Sequence, residues 1–245
     1  MQLGITEFDT IDVKKHASDT HHIAAMKSDG EIYYNMLKWF NRNYPLEMHR
    51  FIESISPNQI EGKKWLIEEL DKVQIPRDEH GRFKIEIIGG WFGFPLIDLL
   101  WEKYGDEIRA IDFFDMDPFA AKVFAVYLST WSVDIQDIKI FTGDMGNYFN
   151  YKEKRRAHMI INTSCEHMEN MDSMKEYYFD PERTLLVLQS NNKTNEDDHT
   201  NCVESCQELA KQAGCTIVGG GDKTMKSKEG KQLEYWSRFM VYGRW

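Results

Sequence analysis

A chain of 245 residues, 42% apolar and 29% charged with 16 glycines and 6 prolines, is long enough to bury a substantial core and too ordinary in composition for extensive disorder. Its formal net charge of -10 argues against a protein that grips nucleic acid through phosphates, and no apolar stretch reaches the ~18 residues of a membrane span. The first thirty residues carry charges throughout and do not read as a signal peptide, so the expected location is the cytoplasm. The four cysteines, Cys165, Cys202, Cys206 and Cys215, form no C-x-x-C pair and no zinc-type spacing. The neighbouring His21 and His22 have no third ligand close in sequence, so no metal is read from the chain.

Residues 1–80 read as helical. In EIYYNMLKWFNRNY (31–44), Ile32, Met36 and Phe40 recur every four residues, and Tyr33 and Leu37 widen the stripe. In SPNQIEGKKWLIEELDKV, Ser56 is the expected N-cap, Pro57 the first helical residue, and Gln59, three after the serine, completes a capping box. Ile60, Trp65, Leu66 and Leu70 then face inward, and the polar QIPRDEHGR is a connector. From Phe83 onward strand and helix alternate. FKIEIIGG is a strand, FPLIDLLWEKYG a helix stopped by Gly105, and IRAIDFFD a second strand. DPFAAKVFAVYLSTW is a helix capped by Asp117, with Pro118 at its first position. IKIFTGD, RAHMIINTS and RTLLVLQSNN are three more strands, and the basic run KEKRR (152–156) reads as a solvated loop between two of them. HTNCVESCQELAKQAG is a helix with Cys202 and Cys206 one turn apart, and CTIVGGG and SRFMVYGRW are the last strands. This alternation predicts an α/β chain with a parallel sheet covered by helices, whose ligands bind beyond the carboxyl ends of the strands.

Polar clusters stand at those ends. Gly89 and Gly90 close the first strand and Gly93 leads into the helix, where glycine allows tight turning and close approach of backbone to a ligand, and a helix N-terminus offers N–H donors. The pattern is neither G-x-G-x-x-G nor a phosphate loop, since no Gly-Lys-Ser/Thr follows. Asp115 ends the second strand, where a carboxylate can accept both hydroxyls of a ribose. Asp144 in TGD ends the third, within reach of an adenine amine.

Order and strand ends together resemble the class I S-adenosylmethionine-dependent methyltransferases over residues 83–245. The resemblance implies a Rossmann-like, mostly parallel seven-stranded sheet with an antiparallel last strand, preceded by a helical segment (1–80) acting as a lid or acceptor-recognition element, and a cofactor-binding domain at 81–245. It implies S-adenosyl-L-methionine as cofactor, held by Gly89, Gly90, Trp91, Gly93, Asp115, Met116, Gly143, Asp144 and Asn162. The fourth strand then opens on the reaction site, NTSCEHM, where Glu166 and His167 are the candidate general base for a small-molecule or nucleotide-sized acceptor. Lys63 is a candidate partner for the cofactor's carboxylate. The family's central acid of the first motif is Ile87 here, with Glu86 one place off, and Trp91 either walls the cofactor pocket or fills a space the usual loop leaves open. NTSCEHM lacks both the Asn/Asp-Pro-Pro-aromatic motif of base amino methyltransferases and the Pro-Cys of cytosine enzymes. Three other readings stay open: aminocarboxypropyl transfer or cofactor cleavage, NAD binding through Asp115, and a non-catalytic binding protein.

Overall fold

The computed structural model describes residues 9–10, 29–130, 137–143, 154–229 and 232–245. Its strands are β1 (Asp9–Thr10), β2 (Phe83–Ile88), β3 (Ile108–Asp115), β4 (Ile138–Thr142), β5 (Met159–Asn162), β6 (Leu185–Asn191), β7 (Thr216–Glu229) and β8 (Gln232–Arg244). They form one sheet in the order β1-β4-β3-β2-β5-β6-β8-β7. Strands β4, β3, β2, β5 and β6 run parallel, and β8 runs antiparallel to both β6 and β7. This is the expected seven-stranded mixed sheet. The two-residue β1, pairing antiparallel with β4, adds an eighth strand from a segment that reads as helical.

Central strands of such a sheet are buried on both faces, as β5 and β6 are throughout their lengths, and they open as apolar runs (MII and LLVL) before polar residues at their carboxyl ends. Successive side chains point to opposite faces. Ile85, Ile87, Phe113 and Ile161 therefore enter one core cluster, while Ile88, Phe114, Ile160 and Leu186 enter the other.

The first face is covered by α1 (Asp29–Asn43), α2 (Met48–Ser54), α3 (Pro57–Glu69), α4 (Leu96–Tyr104) and α5 (Pro118–Ser129). Met36, Phe40, Phe51 and Leu66 share its core with Ile85 and Phe92, so the N-terminal helices are built into the sheet's packing. Phe40 and Phe51 are almost wholly buried, each burial being worth roughly 1.5–3 kcal/mol. Leu37, placed by periodicity in the buried stripe of α1, is 37% exposed, and Trp39 packs against the core from the same helix. Ser56 is the N-cap of α3, but its side chain makes no capping bond, and Gln59 accepts from Lys63 instead of completing a capping box.

The second face carries α6 (Cys206–Gln212) and a 3-10 turn over Met171–Tyr177. It also buries a charged network. Glu86 is fully buried and accepts from Arg155 Nε at 2.9 and 3.0 Å and from the Tyr178 hydroxyl at 2.7 Å. Asp112 pairs with Arg155 and with Lys84 Nζ at 2.6 Å. Arg155, from the basic run that reads as solvated, is thus a half-buried structural cation. Glu86 faces away from the first core, and Ile87 lies within it, so neither supplies the family's first-motif acid at the strand end.

Candidate functional site at the strand ends

The parallel register brings the polar strand ends together. Ile88 pairs with Phe114 on one side and Asn162 on the other, and Asp115 pairs with Thr142. Between β2 and α4 the backbone turns through left-handed conformations at Gly89 (φ 61°), Trp91 (φ 51°) and Gly93 (φ 79°). Among the described residues, Trp91 is the single non-glycine residue at positive φ. Its N–H donates to Asp115 Oδ2 at 2.6 Å, which holds it there, while Asp115 Oδ1 accepts from Asp117 N–H at 2.9 Å. Its indole stacks on Phe92 at 5.2 Å and packs against the core.

The glycines divide into two roles. A Cβ on Gly90 would lie 2.2 Å from the Phe113 ring, and one on Gly93 2.3 Å from Phe124, so both are required for close packing of turn on sheet and helix. A Cβ on Gly89 would lie 3.1 Å from Met168 Cε and 3.6 Å from Ser164 Cβ, and Ser164 Oγ donates to the Gly89 carbonyl at 3.3 Å, so the turn packs directly on the segment after β5. The expectation of open N–H donors needs correction. Gly89 and Gly90 both donate to the Phe114 carbonyl (3.0 and 3.3 Å) and Gly93 donates to that of Gly90 (2.9 Å), so with Trp91 four turn N–H groups are engaged internally. This turn is not an anion cradle.

Asp115 sits half-buried between the two turns. Burial pushes its carboxyl up to about 6, against the opposing N–H bonds from Asp117 and Trp91. Each oxygen accepts one backbone N–H and retains capacity for another donor. Gly143 (φ 131°) donates its N–H to the Asp115 carbonyl at 3.2 Å, and Met116 lies 74% exposed beside it. Asp117 caps α5 through Phe119 N–H at 2.8 Å, as its position predicts, and also pairs with Arg50 of α2. Asp144, His21 and His22 lie outside the described residues.

Beyond β5 the chain forms a second polar cluster. Asn162 is fully buried, its Oδ1 accepts from Ser164 N–H at 2.9 Å and its amide meets the Met168 sulfur at 2.8 Å. It orders this turn through these bonds. Cys165 is buried, which pushes its thiol well above the ordinary range and removes it as a nucleophile. Glu166 is 3% exposed, and its Oε1 accepts from Asn191 Nδ2 at 2.6 Å. Its carbonyl accepts from Thr200 and Asn201 N–H, each at 2.9 Å, so a strap following β6 is tied across the end of β5. A cavity of about 430 Å³ lies beside this strap, lined by Met168, Glu169, Asn170, Ser173, Thr200 and Asn201. Behind Glu166 stand Arg238 of β8 and Lys63 of α3, both buried. Desolvation, with Arg238 adding to it, pulls the Lys63 amine down to about 7, while Glu166 opposes the shift. Gln189 of β6 joins the two elements by donating to the Gly62 carbonyl at 2.9 Å.

No protein-family model and no curated protein matches the chain. Among solved structures, the CurJ carbon methyltransferase is similar at a TM-score of 0.54 and 11% identity, over 95% of this chain and 71% of that one. A candidate O-methyltransferase from Klebsiella pneumoniae is similar at a TM-score of 0.50 and 14% identity, over 92% of this chain and 96% of that one. The chain has the class I methyltransferase fold. On this fold the residues singled out by sequence fall into two groups along one sheet edge: Gly89, Gly90, Trp91, Gly93, Asp115, Met116 and Gly143 on one side, Glu166 and His167 on the other. Sequence reasoning missed Asn191, His199 and Arg238. Their signals were present as polar interruptions of apolar text, in LLVLQSNN, in DDHTNC and in SRFMVYGRW. Lys63, read as a partner for a cofactor's carboxylate, instead faces Glu166 and Arg238 electrostatically.

Proposed function

We propose that the protein transfers a methyl group from S-adenosylmethionine to an oxygen or nitrogen of a small or nucleotide-sized acceptor. The observation that carries this reading is Asp115: a half-buried carboxylate at the end of the second parallel strand, pinned by two backbone N–H groups and able to accept two further donors. A ribose diol supplies two such donors. The engaged turn N–H groups favour a cofactor without phosphate over NAD, whose pyrophosphate needs donors at that turn. The residues present fit this cofactor: Asp115 would hold the ribose, the Gly89 backbone would lie on the methionine side, and Met116 and Gly143 would flank the base.

When bound, S-adenosylmethionine supplies an electrophilic methyl group on a sulfonium leaving group. The chain's own part is alignment and proton removal. The turn at Gly89 packs against Met168 and Ser164 of the segment that carries Glu166, so the two clusters adjoin and an acceptor held beside Glu166 would be presented toward the turn. Glu166 or His167 takes the acceptor's proton, and the buried Arg238 and Lys63 favour an acceptor that develops negative charge, such as a hydroxyl. Lys63 brings α3 to that acceptor side, and residues 1–80 would serve as its recognition element.

Calorimetric titration with S-adenosylmethionine, S-adenosylhomocysteine and NAD tests the reading. The first two should bind at micromolar concentration and NAD should not. Asp115→Ala should weaken binding by about 10–100-fold or more, since hydrogen bonds to a charged group are worth roughly 1.5–3 kcal/mol each. Unchanged affinity in the variant would reject the site.

A further inference from the structure

Three side chains from two segments converge outside the cleft assigned to the cofactor. Glu166, His167 and His199 each place one potential ligand atom within 4.8 Å of the other two. The strap makes this possible: Thr200 and Asn201 bond back to the Glu166 carbonyl, and the two imidazole rings meet edge to face with centroids 4.6 Å apart.

We propose that this cluster is a binding site for one divalent transition metal of the zinc type. Three independent features of the side chains support it. First, Glu166 Oε2 is buried without any hydrogen-bond partner, although Oε1 is satisfied by Asn191. An unsatisfied buried carboxylate oxygen is costly, and a cation ligated there removes the deficit. Second, both histidines are held in the tautomer a metal needs. His199 Nδ1 lies 2.7 Å from the Lys193 carbonyl, which can only accept, so Nδ1 carries the proton and Nε2 keeps its lone pair. His167 Nδ1 lies 3.2 Å from the Asp198 carbonyl and 3.3 Å from its carboxylate, with the same consequence. Ring N–H groups anchored on carbonyl or carboxylate acceptors are the usual outer support of metal-bound imidazoles. Third, the burial is graded, with Glu166 buried, His199 half-buried and His167 exposed, which leaves one side open to a water or an acceptor.

Two imidazoles and one carboxylate select zinc-like ions over magnesium or calcium, which prefer all-oxygen sets. Ligands about 2.0–2.1 Å from a tetrahedral ion stand roughly 3.4 Å apart, so the cluster closes around an ion by moving side chains about an ångström. An ion held there would lower the pKa of a water or hydroxyl on its open side, and Glu166 and His167 would then act by holding the ion. The site does not depend on the cofactor reading, because none of its ligands contacts Asp115 or the glycine turn.

The test is metal binding by the full chain, stripped with EDTA and then titrated with Co²⁺ alone, followed by visible absorption, and with Zn²⁺ alone, followed by elemental analysis after gel filtration. One equivalent per chain is expected, with a ligand-field band for Co²⁺. His199→Ala should weaken binding by at least ~100-fold, since loss of supporting partners alone costs about 10–100-fold. The exposed His167→Ala should do the same, and it decides the matter if His199→Ala fails to fold by circular dichroism. Asp115→Ala should bind metal as the wild type does, which separates this site from the proposed cofactor site. Absence of stoichiometric metal in the wild type, or wild-type affinity in the folded histidine variants, overturns the proposal and leaves a Glu166–imidazole hydrogen-bonded cluster only.

Discussion

Asp115 does two things with one carboxylate: it pins a left-handed tryptophan and it presents acceptors at the strand end. Its folded pKa, pushed up to about 6 by burial from an ordinary 3.8, gives both a pH signature. Between those values the folded state holds the proton more tightly than the unfolded chain, so Asp115 contributes a loss of stability as pH rises through that window. Ligand affinity has the opposite sign. Protonation removes acceptor capacity, so S-adenosylmethionine should bind at full strength above pH 7 and weaken about tenfold per unit below pH 6. Titrations at pH 5 and pH 8 read this directly, and a flat profile would place the ligand elsewhere. Asp115 was legible from its place after an apolar run. Its bond to Trp91 was not, because it depends on how two loops 24 residues apart in sequence dock.

At the scale of elements, most of the alternation was readable. Helix α5 begins where Asp117 and Pro118 place it, and α4 ends at Gly105. The glycine turn is the tight turn its residues suggest, but its N–H groups are not open donors: Gly90 and Gly93 make room for phenylalanine rings, and their N–H groups bond to Phe114 of β3 and to Gly90. Gly90→Ala should therefore destabilise the fold by about 1–3 kcal/mol, the range for overpacking a core, measured as a shift in urea midpoint with unchanged slope. An alanine accepted without loss would mean that the Phe113 ring can move aside. The expected helix over 199–214 was the larger error. Only Cys206–Gln212 is helical, capped by Ser205 accepting from Glu208 N–H at 3.1 Å, and Cys202 lies in the strap before it. Residues 200 and 201 give their N–H groups to Glu166, and Val203 gives its own to the Asn191 carbonyl at 3.0 Å. Tertiary acceptors outcompete local helix there, and in doing so carry His199 to His167.

In the whole molecule, the N-terminal helices and the strand-helix unit share one core, and Arg50 of α2 reaches the N-cap of α5. No helix among the described residues is long and apolar enough to cross a membrane. The other face is held by Glu86, Asp112, Arg155 and Lys84, two acids balanced by two bases. Removing one partner of such a network strands buried charge. Arg155→Met should cost about 3–5 kcal/mol in equilibrium unfolding, with Glu86→Gln in the same background recovering part of the loss. Arg155→Met at wild-type stability would show that water reaches these carboxylates. The basic run that contains Arg155 looks like any solvated loop in sequence, because charge pattern reports composition and not enclosure.

The sequence by itself determined the order of the main strands and helices, the cap of α5, and the polar residues that end the strands, because these follow from periodicity and from side-chain chemistry within a few residues. Tertiary structure decided which of those residues meet. The register of the parallel sheet places Asp115 beside the glycine turn, and the strap after β6 places His199 beside Glu166 and His167. Both depend on contacts between residues tens of positions apart, whose loop-closure entropy is offset only when the whole core forms.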